Sequence, residues 1–434
     1  MKRREFLKAA GQALAGLGIV GGFPTIIPAS ALGRGGAVAP SNRIVMGSVG
    51  LGWQGEPNTR SFMEKPEVQM VAICDVEQSV RNKWKKIVDA KYGDTGCEVY
   101  NDFPEMLDRP DLDAVTLALP DHWHAIPAIL AVKKGLDVYG EKPFSRTLGE
   151  GRAMVNAVER YGRVWQTGSW QRSRENFHKA CELVRNGRVG KIVRVEVGIG
   201  GGHNDFNGTG RLKKPMEIPA GFDYDMWLGP APHVPYAAAR IHKNWRHILD
   251  YGGGQLLDWV GHHVDIAHWG LGLDETGPVS IEATGYIPSG VWNAPTEFDV
   301  TSTYANGVVI NIASTLRSGT KWIAENGDWL HVDRSALEAG PSSILQERIG
   351  ADEIQLRRSL DHYEDFLTSV RTRRDTLTPA ETAHRSASTG HLGLIAILTG
   401  RKLKFNPVTE KFDNDPGAND YLDQPMRAPW ILPV

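Results

Sequence analysis

The sequence predicts an α/β protein in which an N-terminal, doubly wound parallel sheet is followed by an α+β domain with a large, mainly antiparallel, open-faced sheet. Three observations predict it. At 434 residues the chain exceeds what one core usually accommodates, which favours two domains. From residue 43 to 139 apolar runs alternate with segments of helical composition, the rhythm of right-handed βαβ units. Beyond about residue 165, strand-like runs follow one another without interleaved helices.

Taken in order, Arg43 to Gly50 reads as a buried first strand running into a glycine-rich turn, Val68 to Ile73 as a second, Ala114 to Leu119 as a third and Leu136 to Tyr139 as a fourth. Val80 to Tyr92 and His124 to Lys134 have helical composition. In the second part, Asn176 to Asn186 reads as a helix, Lys191 to Ile199 as a β-branched strand, and residues 201–219 as a Gly, Asn and Pro-rich loop. Thr301 to Ile312 is a hairpin, with Asn306-Gly307 supplying the positive φ angles that a tight turn requires. His362 to Arg373 and Ala380 to Leu398 are late helices. The expected domains are therefore 43–165, 166–400 and a tail, 401–434, that packs on them.

The N-terminus reads differently. Lys2-Arg3-Arg4-Glu5-Phe6-Leu7-Lys8 has the form of a twin-arginine export signal, and Ala9 to Gly33 carries no charge. Gly16, Gly18, Gly21, Gly22, Pro24 and Pro28 make that stretch a weak apolar segment rather than a stable membrane span. Ala29-Ser30-Ala31 supplies small residues for cleavage, so the expectation is a signal at 1–31, a linker at 32–42 and a periplasmic or otherwise exported protein. The three cysteines, Cys74, Cys97 and Cys181, are too few and too scattered for a disulfide framework or a zinc site. Forty-nine basic against fifty-one acidic residues leave a formal charge of −2, which offers no positive field to recruit nucleic acid.

Gly50-Leu51-Gly52-Trp53-Gln54-Gly55 matches G-x-G-x-x-G directly after a predicted strand. There the glycines let backbone approach a diphosphate at a helix start, where free N–H groups favour negative charge. Asp75, at the end of the second apolar run, sits where an acid bonds the adenosine ribose. An acid at that position repels a 2′-phosphate, so a Rossmann domain binding NAD is expected; NADP stays open if Arg81 reaches back.

Leu136 to Pro143 places Lys142 at the end of a parallel strand, on the edge where doubly wound folds bind ligands. Together with Leu119-Pro120-Asp121-His122-Trp123-His124 and Glu141-Lys142-Pro143, the glycine motif resembles the Gfo/Idh/MocA family, named for relatives of glucose-fructose oxidoreductase and inositol dehydrogenase. The segment from Gly252 to Asp265 looks like that family's G-G-x-L-x-D-x-x-x-H-x-x-D pattern, with the last glycine displaced to Gly261. Asn244-Trp245-Arg246, the paired histidines and the closing Met426-to-Trp430 region are similar to an exported, twin-arginine branch, and the resemblance spans roughly residues 43–430.

The resemblance implies Lys142, Asp258 and His262 as a catalytic trio, with Asp258 and His262 four apart on one helical face. His262 would be the general base, because imidazole titrates in the useful range. It also implies a cis Lys142-Pro143 bond, and cofactor contacts from Leu119, Pro120, Glu141 and Lys142 beside Gly50 to Gly55 and Asp75. His124 is read either as a neighbour of the nicotinamide ribose or as a surface helix-start residue. Substrate contacts are expected from Lys142, Arg172, Trp245, Arg246, Asp258, His262 and His263; Arg172 and Arg246 read equally as surface ion pairs. Some of the thirteen tryptophans, among them Trp165, Trp170, Trp245 and Trp259, are candidates to stack on a sugar ring.

No metal is expected, since His263 points away from His262 and neither H-E-x-x-H nor a cysteine partner is present. The implied activity is hydride transfer between a tightly bound nicotinamide dinucleotide and a hydroxyl carbon of a carbohydrate or polyol. Redox-assisted glycoside hydrolysis and a non-enzymatic sugar-binding module are the alternatives. A sheet with helices on one side leaves its other face to be covered, so a homo-oligomer through that face is expected.

Overall fold

The computed structural model describes residues 38–39 and 42–434; the export signal expected at 1–31 and most of the linker expected at 32–42 lie outside the described residues. Six short strands, β1 (Ile44–Val49), β2 (Val68–Cys74), β3 (Glu98–Tyr100), β4 (Ala114–Leu117), β5 (Asp137–Gly140) and β6 (Trp165–Thr167), form a parallel sheet. Its order is β3-β2-β1-β4-β5-β6, so the chain reverses direction across the sheet between β1 and β4. That reversal opens a crevice at the carboxyl ends of the strands. β1, β4 and β5 are buried along their whole length, which is why they read as unbroken apolar runs. Helices α1 (Gly55–Met63), α2 (Gln78–Tyr92), α3 (Ala125–Lys133) and α4 (Leu148–Tyr161) alternate with them.

The second sheet contains β7 (Ile192–Gly198), β8 (Ser280–Tyr286), β9 (Glu297–Thr303), β10 (Val309–Ala313), β11 (Gly319–Ala324), β12 (Trp329–Val332), β13 (Leu337–Gly340), β14 (Leu403–Asn406) and β15 (Lys411–Phe412). It runs β13-β12-β11-β7-β10-β9-β8-β14-β15 and is antiparallel except where β7 meets β10. The expected hairpin is β9–β10, with Gly307 at φ +85° in its turn. Val195, Val197, Val300, Ile310, Ile312 and Trp322 point into one core under α5 (Glu175–Arg185) and α6 (Gly254–Leu271). The alternate positions, including Arg194, Glu196, Asn311 and Lys321, are less buried and polar, so only one face is roofed by helices.

Late elements of the chain pack into both cores. Phe366 and Leu367 of α7 (His362–Thr372) join the parallel-sheet core beside Phe62 and Tyr139. Helix α8 (Ala380–Thr399) puts Ala380, Ala383 and Ala387 in that domain's core and Leu392 to Ala396 in the other. In the tail, β14 pairs with β8, and Trp430 packs edge-on against Trp123 with ring centroids 4.7 Å apart. Among the described residues no helix is long and apolar enough to cross a membrane.

Candidate active site

A cavity of about 730 Å³ lies along the crevice, floored by the strand ends and roofed by the segment from Trp245 to His262. Its dinucleotide-shaped half is made by glycine. Gly50 has φ +79°, and a Cβ there would meet the Ala118 carbonyl oxygen at 2.3 Å; one on Gly55 would meet the Gly50 oxygen at 1.8 Å. A Cβ on Gly52 would meet nothing within 4 Å, so backbone borders open space where a diphosphate approaches.

Asp75 lines the cavity, and its carboxylate accepts from the Leu51 and Glu77 amides at 2.9 Å each. Burial raises its pKa against those two bonds, and each oxygen keeps capacity for a ribose hydroxyl. Arg81 turns back only as far as the Asp75 backbone oxygen and Asn101 Oδ1, to which it donates, and does not line the cavity where a 2′-phosphate would sit. The residues therefore fit a nicotinamide dinucleotide. Two sequence expectations are corrected here. The Leu51 amide is taken by Asp75 and its side chain is in the core, while Gly55 serves the close approach of α1 to the turn; neither lines the cavity.

At the other end, β5 delivers Glu141 and Lys142 into the cavity just before a cis Lys142-Pro143 bond. Asn58 Nδ2 donates to Glu141 Oε1 at 2.8 Å and fixes it. Lys142 Nζ donates to Asp258 Oδ1 at 2.8 Å and to the Asp258 backbone oxygen at 3.0 Å, and Arg246 Nε reaches the same carboxylate at 3.2 Å. Burial would raise the Asp258 carboxyl, but Lys142 and Arg246 outweigh it and hold the group below the usual carboxylate range. The displaced glycine has a clear function: a Cβ on Gly261 would lie 2.9 Å from Lys142 Cβ, so Gly261 lets α6 approach the lysine between Asp258 and His262.

The His262 side chain makes no hydrogen bond among the described residues, and its Nδ1 is buried without a partner. Trp259 and Trp170 flank it edge-on, at 5.4 and 6.2 Å between centroids. Burial, with Lys142 and Arg334 nearby, pushes the imidazole well below its ordinary pKa, so it is neutral. A neutral, unbonded imidazole beside an ammonium–carboxylate pair can take a proton from a hydroxyl held in the cavity. Trp245, Leu119 and Pro120 also line the space, as expected.

Three expected contacts are absent. His124 is buried at the start of α3, with Nδ1 2.6 Å from the Pro143 oxygen and Nε2 2.9 Å from the Leu119 oxygen. It fastens two loops together, and is neither a cavity residue nor a surface one. Arg172 is buried against Asp265 at 2.8 Å and Asp274 at 2.7 Å, over the Trp269 ring, an internal ion network rather than a substrate contact or a surface pair. His263 lies on the next face of α6, stacked on Trp259, with its ring nitrogens 3.5 Å from Gln171 and Ser318.

Sequence reasoning passed over Asp121, Asn58 and Arg334. Asp121 is buried, and burial together with Asp258 raises its carboxyl to about 8. It stands within the Leu119-to-His124 motif, and an acid among apolar and aromatic neighbours was the available signal. Asn58 follows Gln54 by one helical turn, and Arg334 has no local signature.

A family model described as oxidoreductase family, NAD-binding Rossmann fold, matches residues 44–169. A second, oxidoreductase family, C-terminal alpha/beta domain, matches residues 174–432; both are Gfo/Idh/MocA models. Among curated proteins, an alpha-N-acetylgalactosaminidase of Shewanella oneidensis is 29% identical over 209 residues, 45% of each chain. The match thus spans about half the length of that relative. Among solved structures, the WlbA dehydrogenase of Bordetella pertussis, in complex with NADH and UDP-GlcNAcA, aligns with a TM-score of 0.60 at 18% identity, covering 84% of this chain and 99% of that one. The scyllo-inositol dehydrogenase of Lactobacillus casei, with NAD(H) and scyllo-inositol, aligns at 0.58 and 16%, covering 83% and 99%. At these identities the structural likeness is one of fold.

Proposed function

Because the chain belongs to the Gfo/Idh/MocA oxidoreductase family, we propose that it oxidises and reduces a hydroxyl-bearing carbon of a carbohydrate or polyol, using a tightly held NAD. The observation that carries this reading is the unbonded imidazole of His262 facing the Lys142–Asp258 pair at the sheet's carboxyl edge. The chemistry NAD supplies when bound is the acceptance and return of a hydride. Gly50, Gly52 and Asp75 are the residues to hold it.

Lys142 directs an N–H at the substrate oxygen while Asp258 keeps the ammonium in place, and His262 removes the hydroxyl proton as negative charge develops. Arg246 locks Asp258 from the other side, so the carboxylate stays ionised and does not compete for that proton. Export by the twin-arginine route to the periplasm belongs to the proposal. A tightly held cofactor suits it, since dinucleotide is scarce outside the cytoplasm. So does a second copy covering the polar outer face of the large sheet.

A second reading, glycoside hydrolysis by transient oxidation, elimination and re-reduction, is favoured by the alpha-N-acetylgalactosaminidase relative. Incubating purified protein with free sugars and aryl glycosides, without added cofactor, separates the two. Oxidoreduction predicts a rise in absorbance at 340 nm with sugars and no sustained aglycone release. Aglycone appearing over many turnovers would instead establish the hydrolytic cycle.

A further inference from the structure

We propose that the substrate end of the cavity contains an anion subsite formed by Arg334 and Arg174 around Trp170, so that the substrate carries an acidic substituent such as a carboxylate. The inference rests on the oxidoreductase reading of the same cavity.

Arg334 follows β12 and lines the cavity. Its guanidinium carbon lies 4.7 Å from the ring centroid of Trp170 and 4.7 Å from that of Trp259. Arg174, just before α5, has its guanidinium carbon 5.5 Å from the same Trp170 ring. Both arginines are exposed, Arg174 at the rim outside the cavity lining, and among the described residues neither side chain has a carboxylate or any hydrogen-bond partner. The less exposed arginines nearby are already occupied, Arg172 by Asp265 and Asp274 and Arg246 by Asp258, so Arg174 and Arg334 are the ones left to meet an anion. Contact with two indoles holds the Arg334 guanidinium at this end of the cavity while leaving its N–H donors unpaired.

Two like charges beside one indole repel, and that repulsion adds to burial in lowering the Arg334 pKa. A bound anion relieves it. The only carboxylate of the cavity wall near them, Asp258, is already neutralised by Lys142 and Arg246, so the field at this end is positive. A guanidinium edge pairs with a carboxylate through two parallel bonds. There is also a link to the chemistry. Arg334 is one of the cations that keep His262 from accepting a proton, and an anion on Arg334 offsets that effect, strengthening the base only when the acidic substrate is in place.

The test compares matched neutral and acidic sugars on the NAD-loaded protein: methyl glucoside with methyl glucuronide, galactose with galacturonate, and N-acetylglucosamine with its 6-sulfate. Kd by calorimetry and kcat/KM by absorbance at 340 nm are measured at low salt. The acidic member of at least one pair should be favoured about ten- to hundredfold. In the Arg334→Gln, Arg174→Gln double variant that ratio should fall to near one, with Arg334→Lys intermediate and the Kd for NAD unchanged. A preference for the sulfate as strong as for the carboxylates supports the subsite and widens the class. Equal use of neutral and acidic sugars, or a preference that survives in the double variant, overturns the subsite alone. Failure of every sugar to reduce the bound cofactor removes the oxidoreductase reading and the subsite with it.

Discussion

Replacing His262 by alanine is expected to lower turnover by about two to four orders of magnitude while NAD remains bound. The size follows from the role of the imidazole. No other unbonded imidazole lines the cavity near Lys142 among the described residues, so the substrate proton loses its acceptor. Binding of NAD survives because Gly50, Gly52 and Asp75 occupy the opposite end of the crevice. The pH profile gives an independent check. Burial and two nearby cations lower the His262 pKa, so the neutral, active base persists below pH 6.5 and the acid limb of wild-type turnover falls well under that value. Steady-state kinetics with isothermal titration of NAD measures both effects. Turnover within threefold of wild type would remove His262 from the chemistry.

Acid should unfold the protein steeply. A histidine kept neutral by burial has a folded pKa below its unfolded value of about 6.5, so the unfolded chain takes up the proton first. Stability is then lost as pH falls through 6.5 toward the folded value. Burial pushes His122, His263 and His391 down to about 3, and His247, His268 and His362 to about 4. Buried acids act in the opposite sense, Asp75 and Glu141 among them. Asp121, Glu150 and Asp265 are raised to about 8, 7 and 6, so they stay protonated in the folded chain and gain stability as pH falls toward 4. The lowered histidines outnumber the raised acids, so stability falls between roughly pH 6 and 4. Calorimetric melting across the pH range should show a level Tm above pH 6.5 and a steep fall below pH 6. A Tm unchanged from pH 7 to 4.5 would contradict this account of the buried histidines.

The first sheet was legible because strands buried on both faces leave unbroken apolar runs, and because Gly50, Asp75 and Lys142 mark the ends of three of them. Strands such as β3 and β6, three residues each, are too short to carry a period; the β11–β12 hairpin carries the same signal as β9–β10, an Asn326-Gly327 turn with Gly327 at φ +90°, which the sequence reading passed over. At the site, the family resemblance pointed to Asp258 and His262, and helical spacing put them on one face and His263 on another. What spacing cannot supply is long-range pairing. Arg172 was a plausible sugar ligand until Asp265 and Asp274, about a hundred residues away, took its donors. His124 was ambiguous until the Pro143 carbonyl closed on it. Arg334, brought from the large sheet to the indoles of Trp170 and Trp259, is visible only in three dimensions.

The central claim is that one cavity holds NAD with its reactive end among Lys142, Asp258 and His262. A crystal structure of the protein grown with NAD tests it most directly. The diphosphate is predicted beside Gly50 to Gln54, the adenosine ribose at Asp75, and the nicotinamide ring in the space bordered by Lys142 and His262. Density for the dinucleotide outside this crevice, or a nicotinamide turned away from both side chains, would contradict the account.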